Sequence, residues 1–425
     1  MPETVEMTDD PPGQDRPDNL ARTFRAFRSL NYRLFFCGQG LSLVGTWMQN
    51  LAMGWLVYRL THSPWLLGVI GFCGQIPIFL LGPIAGVLAD RFPRRRILML
   101  TQSLAMLQAF ILTALVLCGA IQVWHVVVLS LFLGTVNAFD MPTRQSFIME
   151  IVPGREDIGN AIALNSTMFN SARLIGPMIA GLVIKLAGEG VCFAINGASF
   201  LAVIVALQRM RLPPRPARME HNGMIQGMRE GLSYTLRSPE ILTVLVFVAA
   251  ISLVGMPYGV LMPVLARTVL GGGSDTLGLL VGSSGIGAII GGMFLATRKS
   301  STDLGRTAAI AAVIFGGGLI GLAMSRNIPL SMAMMVLTGM GMTVQMASNN
   351  TTVQTIVEDS KRGRVMSLYI MSQIGVSPFG ALLAGGLAQR IGTPNTLLIA
   401  GACSAVLAGL LALRISLLRN RHPAG

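Results

Sequence analysis

Apolar runs long enough to cross a bilayer recur twelve times along this chain, and no other feature narrows its folding so far. They lie approximately at residues 33–60, 65–89, 97–120, 123–149, 160–187, 191–210, 240–268, 276–298, 306–325, 328–355, 364–389 and 395–417. About 20 apolar residues in α-helical form span roughly 30 Å of hydrocarbon, so each run is read as one transmembrane helix. With 52% hydrophobic and 12% charged residues and a mean hydropathy of +0.63, the chain lies outside soluble domains, where about 25% of residues are charged. The fold class expected is an all-α polytopic membrane protein with 12 transmembrane helices. Runs four and ten are long and end in polar residues, so they are expected to protrude.

The formal net charge of +13 does not point to nucleic acid, because the basic residues sit in short clusters between the apolar runs and not along one face. They report topology instead. With the N-terminus in the cytosol, 26 of the 32 Lys and Arg residues fall in the tails and the loops on that side, and the positive-inside rule places both termini there. Trp65 and Trp124 then lie at outer helix ends, as an aromatic belt requires. The five cysteines, Cys37, Cys73, Cys118, Cys192 and Cys403, fall inside apolar runs at irregular spacing and suggest neither disulfides nor zinc. The acidic, proline-bearing first twenty residues lack a signal-peptide core and read as a disordered cytosolic tail. Phe24, Phe27 and Leu30 alternating with Arg22, Arg25 and Arg28 suggest a short interfacial helix before the first span.

Between the first two runs lies the most distinctive stretch, Gly86-Val87-Leu88-Ala89-Asp90-Arg91-Phe92-Pro93-Arg94-Arg95-Arg96. Gly82 and Gly86, four apart, leave one helix face bare for a close neighbour, and Pro93 ends the helix. The spacing Gly-x3-Asp-Arg-x2-Arg-Arg resembles the loop between helices 2 and 3 of the major facilitator superfamily of secondary transporters, with Pro93 where that pattern usually has glycine. Gly45-Thr46-Trp47-Met48-Gln49-Asn50 followed by Leu60-Thr61-His62-Ser63-Pro64 is similar to the bacterial drug and siderophore exporter branch that includes enterobactin and macrolide efflux proteins. Asp140, Pro142, Arg144 and Gln145 closing the fourth helix resemble the same branch.

The resemblance implies gating roles for Gly86, Asp90, Arg91, Arg94, Arg95, Asp140 and Arg144. Asp90 would latch onto the start of helix 11, where free N–H groups and the helix dipole favour an anion, and Arg94 would pair with Asp140. Ala296-Thr297-Arg298 stands where Ala89-Asp90-Arg91 stands in the first half, so any latch is one-sided. Gly176, Pro177 and Gly181 partly resemble the helix 5 antiporter motif, although the upstream glycines are missing.

The long loop at 211–239 carries Pro213, Pro214 and Pro216, then an amphipathic pattern through Ile225, Met228, Leu232 and Leu236. It separates two six-helix bundles, 33–210 and 240–417, flanked by tails at 1–32 and 418–425. The halves repeat weakly: Ile151 and Val152 match Ile356 and Val357, and Gly159, Leu164, Gly176, Ala180 and Gly181 match Gly363, Leu368, Gly380, Ala384 and Gly385. Two parallel six-helix halves with a path between them are the build of the major facilitator fold.

There is no Gly-Lys pair for a P-loop, and the four histidines, His62, His125, His221 and His422, are not at metal-ligand spacing. The run Gly285, Gly287, Gly291 reads as helix packing. We therefore expect no enzyme, no cofactor and no metal. Arg173 is the one charge deep inside a span, about 20 Å along its helix; a cavity role and a structural one both fit. Gln39, Gln49, Asn50, Gln75, Asn137, Asn165, Asn170, Gln345 and Gln373 are mid-depth amides. Some are expected to line the path with Arg173, because unpaired amides facing lipid are costly, and others to bridge helices. No Asp or Glu lies at the centre of any run; the deepest is Asp140, 18th of the 27 residues of run four. The expected function is export of small amphipathic molecules across the bacterial inner membrane by alternating access, with protons as coupling ion by resemblance; a lipid transporter or importer of the same fold and a non-transporting sensor are the alternatives. Expected partners are a small-molecule substrate, membrane lipid and protons, without nucleic acid, for a monomeric chain.

Overall fold

A computed structural model describes residues 25–152, 154–212, 224–297, 303–359 and 361–421. Twelve long helices carry the chain: α1 Leu30–Thr61, α2 Pro64–Arg91, α3 Arg94–Leu117, α4 Val123–Ile151, α5 Arg155–Ala187, α6 Glu189–Arg209, α7 Pro239–Val269, α8 Ser274–Ala296, α9 Leu304–Met324, α10 Ile328–Ile356, α11 Arg362–Ile391 and α12 Thr393–Arg421. Eleven contain an apolar stretch sufficient to cross a membrane. The exception is α1, which is long enough but interrupted by Gln39, Thr46, Gln49 and Asn50.

Local chemistry sets the helix ends. The Ser29 hydroxyl accepts from the Tyr32 amide to open α1, Ser63 caps α2 just before Pro64, and Asn327 accepts from the Leu330 amide at the start of α10. Such caps satisfy N–H groups that the helix itself leaves free. The arginine-rich hairpin forms as expected, with α2 ending at Arg91 and Pro93 at the N-cap of α3. Of the expected interfacial helix, the described part is a single 3-10 turn, Arg25–Arg28. Four residues cannot form an α-helical turn of their own; the segment is held by an Arg25–Asp157 ion pair (2.8 Å) and by Phe27 against Tyr32 and Phe36. The first twenty residues lie outside the described ones.

The sequence repeat becomes a repeat of contacts. Gly176 packs against Trp47 and the Val44 carbonyl on α1, while its counterpart Gly380 packs against the Leu253 carbonyl and Pro257 on α7. Gly181 meets Ser274 and Gly278 on α8, and Gly385 meets Pro64 and Gly68 on α2. The relation continues to Gly188 and Gly392, which end α5 and α11 at φ +83° and +85°, a left-handed conformation costly for other residues. Between the halves, the helix Met224–Arg237 docks on the start of α11 through a Glu230–Arg364 ion pair and Lys361 over the Tyr234 ring at 4.4 Å.

Two helices are interrupted where the hydropathy pattern reads as continuous. Gly255 ends the regular part of α7, a 3-10 segment Met256–Leu261 with Pro257 follows, and a π-segment Leu265–Val269 closes the helix. In α11 a π-segment Met371–Gly375 precedes Pro378, whose ring cannot accept a regular helical neighbour. π-segments inside α-helices occur frequently at functional sites.

Candidate functional site

The seam between the halves is tightly packed at one end and lacks such glycine contacts among the described residues at the other. At the end bearing the α1–α2 turn, a β-carbon on Gly68 would fall 2.5 Å from the Ala381 carbonyl, and one on Gly278 would fall 2.6 Å from that of Pro177. Two polar tethers reinforce these contacts: Lys185 Nζ to Asp275 Oδ2 at 2.6 Å, and the Ser63 hydroxyl donating to Gln389 Oε1 at 3.0 Å. Lys185 and Gln389 occupy the same place in the repeat. At the opposite end, which carries the arginine hairpin, the β-carbon positions of Gly82, Gly86, Gly159, Gly292 and Gly363 have no neighbouring helix within 4 Å. Among the described residues, the bare face of α2 at Gly82 and Gly86 therefore meets no neighbour.

Arg173 sits on the seam at mid-depth. Its guanidinium lies 3.7 Å from Met342 Sδ on α10 and 6.0 Å from the centre of the Trp47 ring on α1, which meets Phe169 edge-on at 5.7 Å. One cation thereby touches both halves, at the outer range of a cation–π contact. Asn50 is exposed and shares a face of α1 with Trp47 and Gly54, which approaches Pro263 of α7. Asn137, Asn165, Asn170 and Gln373 are half-buried, with Asn170 Nδ2 donating to the Ser166 carbonyl at 2.9 Å.

Two expected site residues are placed differently. Gln49 is 2% exposed and bridges helices: it accepts from Asn196 Nδ2 at 2.8 Å and donates to Gln108 Oε1 at 3.0 Å. A satisfied amide network of this kind ties α1, α3 and α6 together and presents nothing to a path. Nor does Arg94 pair with Asp140. Its guanidinium donates to the Ser146 carbonyl at 3.1 Å and reaches Glu150 Oε2 at 3.5 Å, about two to three helical turns beyond Asp140 on α4. Asp140 accepts from Thr101 at 2.9 Å and Gln102 at 2.8 Å, with Arg144 at 3.5 Å. Arg95 donates to the Gln208 and Met210 carbonyls at the end of α6, anchoring the hairpin, whereas Arg91 is exposed. The backbone of Asp90 forms the last turn of α2, but its side chain lies outside the described residues.

Asp140 and Glu189 are the buried carboxylates among the described residues, and Glu189 is paired with Arg59 at 2.7 Å. Removing the Asp140 charge and its acceptors together would strand Arg144, Thr101 and Gln102. Asp140→Leu should therefore destabilise the protein by about 3 kcal/mol, whereas Asp140→Asn, which keeps an acceptor, should melt within a few degrees of the parent; thermal unfolding in detergent measures both.

A helical bundle in two repeated halves, tightly packed along its seam at one end and without such contacts among the described residues at the other, is the build of secondary transporters. The sequence profile of the transmembrane secretion effector family matches residues 21–423, and the chain belongs to that family of the major facilitator superfamily. It is 26% identical over 372 residues to a staphyloferrin A transporter of Staphylococcus aureus, a match covering 87% of this chain and 92% of the relative. It is 23% identical to an enterobactin exporter of Shigella flexneri, covering 93% of both. Among solved structures, a bacterial homologue of the human lysosomal transporter Spinster in an inward-facing, occupied conformation superposes with a TM-score of 0.70, at 15% identity and over 92% of this chain and 97% of that one. The protein is a multi-span transporter of the bacterial inner membrane, not an enzyme.

Proposed function

We propose that the chain exports small amphipathic, weakly anionic molecules of the drug or siderophore class, with both termini and the open end of the seam in the cytosol. The observation that carries this reading is the placement of Arg173 as a deep cation touching both halves, with methionine and aromatic neighbours, while the deepest carboxylate among the described residues, Asp140, is already engaged by Thr101, Gln102 and Arg144. A phenolate, carboxylate or catecholate would find its counter-charge there, while a dication would lose hydration without compensation. A methionine neighbour such as Met342 adapts to varied shapes. The names of the staphyloferrin A and enterobactin relatives agree with this class of cargo. Positive-inside bias supports the orientation, which makes this an inward-open state.

Proton coupling is part of the proposal. Asp140, held by Thr101, Gln102 and Arg144 near the open end, is the carboxylate best placed to exchange a proton between states. The six-helix bundles are assigned to 33–210 and 240–417, with 211–239 as a cytosolic linker. A panel of cationic dyes and anionic catecholates, tested in a strain stripped of other pumps and in inverted vesicles, checks the reading. Protection against, and accumulation of, the catecholates is expected; protection against the dyes alone overturns it.

A further inference from the structure

Within the described residues, six buried side-chain atoms have neither a hydrogen-bond nor an ion-pair partner once Asp157 Oδ1, which meets Arg25, is set aside, and three of the six come from one turn of α10: Gln345 Oε1, Ser348 Oγ and Asn349 Nδ2. Their residues are 2%, 1% and 1% exposed. The spacing i, i+3, i+4 puts all three on one helix face. Gln345 and Asn349 border a cavity of about 10 Å³, which Ser252 of α7 and Tyr369 and Gln373 of α11 complete. Tyr369 already donates to the Met346 carbonyl at 3.1 Å, and the fully buried atoms of this wall that lack a partner are those of α10. An acceptor and a donor facing one small space match a group that both donates and accepts. The volume admits a single water-sized group and nothing larger.

We propose that this cavity is a subsite for a neutral hydroxyl group of the cargo, and that it adds hydrogen-bond selectivity to the charge selectivity of Arg173. This rests on the export reading above. Two features of the fold support it. Each orphaned group costs stability if nothing pairs it, so a purely structural core at this place would have been better built from apolar side chains. Gln373 also stands in the π-segment Met371–Gly375 of α11, an interruption of the kind found frequently at functional sites. Cargo entering from the seam would set its hydroxyl between α10 and α11.

The test uses the full chain with Gln345→Leu and Asn349→Leu, alone and combined, at equal expression. Thermal unfolding of the purified proteins is the first arm. The double variant should melt at or above the parent temperature, because it removes unpaired polar atoms from a buried place; a fall of more than about 5 °C would mean the amides are paired within the protein and overturns the proposal. Protection of the pump-stripped strain is the second arm, using 2,3-dihydroxybenzoyl conjugates and their O-methyl ethers. The parent should favour the hydroxylated members at least fivefold, and the double variant should lose that preference while still handling the ethers. An unchanged preference overturns the subsite. Should the parent protect against no member of the panel, the export reading fails on its own, and the melting comparison still decides whether α10 holds a site for a guest or a satisfied core.

Discussion

Gly68→Leu should abolish transport while leaving the membrane-inserted protein folded. A β-carbon at Gly68 already falls 2.5 Å from the Ala381 carbonyl and 3.2 Å from the Gly385 α-carbon, and both are backbone atoms that cannot swing aside. Overpacking of this kind costs about 3 kcal/mol, which lowers the population of the state with this end closed by about 100-fold. The clash is absent once α2 and α11 part, so the variant is held with this end open. A cysteine at Ala381, 1% exposed in this state, reports it: in a background without the five native cysteines, an impermeant maleimide should label it readily in the Gly68→Leu variant and slowly in the parent. Equal labelling would show that the glycine contact does not gate. Gly86→Leu should behave in the opposite sense. Its side chain enters open space now and would obstruct only the closing of the other end, so the variant should keep the Ala381 cysteine protected and still fail to transport.

Arg173→Ala should reduce export of anionic cargo by about tenfold or more, equivalent to about 1.4 kcal/mol, and Arg173→Lys should recover only part of it. Lysine restores the charge but not the planar guanidinium that lies over Trp47 and against Met342. Cationic dyes provide the control. If the residue recognises negative charge, their handling should hold steady or improve in the Ala variant, whereas a merely structural arginine would depress every substrate alike. Export by the Ala variant equal to that of the parent would remove Arg173 from the path.

Hydropathy alone located all twelve helices within a few residues, because a span is a property of one stretch of chain set by the thickness of hydrocarbon it must cross. The repeat was legible for a similar reason: Gly181 and Gly385 must both lack a side chain at equivalent crossings, and the constraint stays visible in sequence. The run Gly285, Gly287, Gly291 likewise meets Leu174, Val336 and Met340 as packing residues should. Arg173 stood out because a charge at that depth is rare, and the structure sets it between the halves.

What tertiary structure decided was partnership. Gln49 and Asn50 are adjacent in sequence, yet about 100° of helical rotation turns one into the Gln108–Asn196 network and leaves the other exposed on the face shared with Trp47. Arg94 found Glu150 and not Asp140 because the register of α3 against α4, set by packing along their whole length, places it further along α4. The breaks in α7 and α11 were hidden for the same reason. Gly255, Pro257 and Pro378 only permit an interruption, and the helices packed on either side determine where the backbone takes it. Composition and periodicity describe each helix as it would sit in lipid; which faces meet, and so which polar atoms are left waiting on α10, follows only from how the twelve rotate and slide against one another.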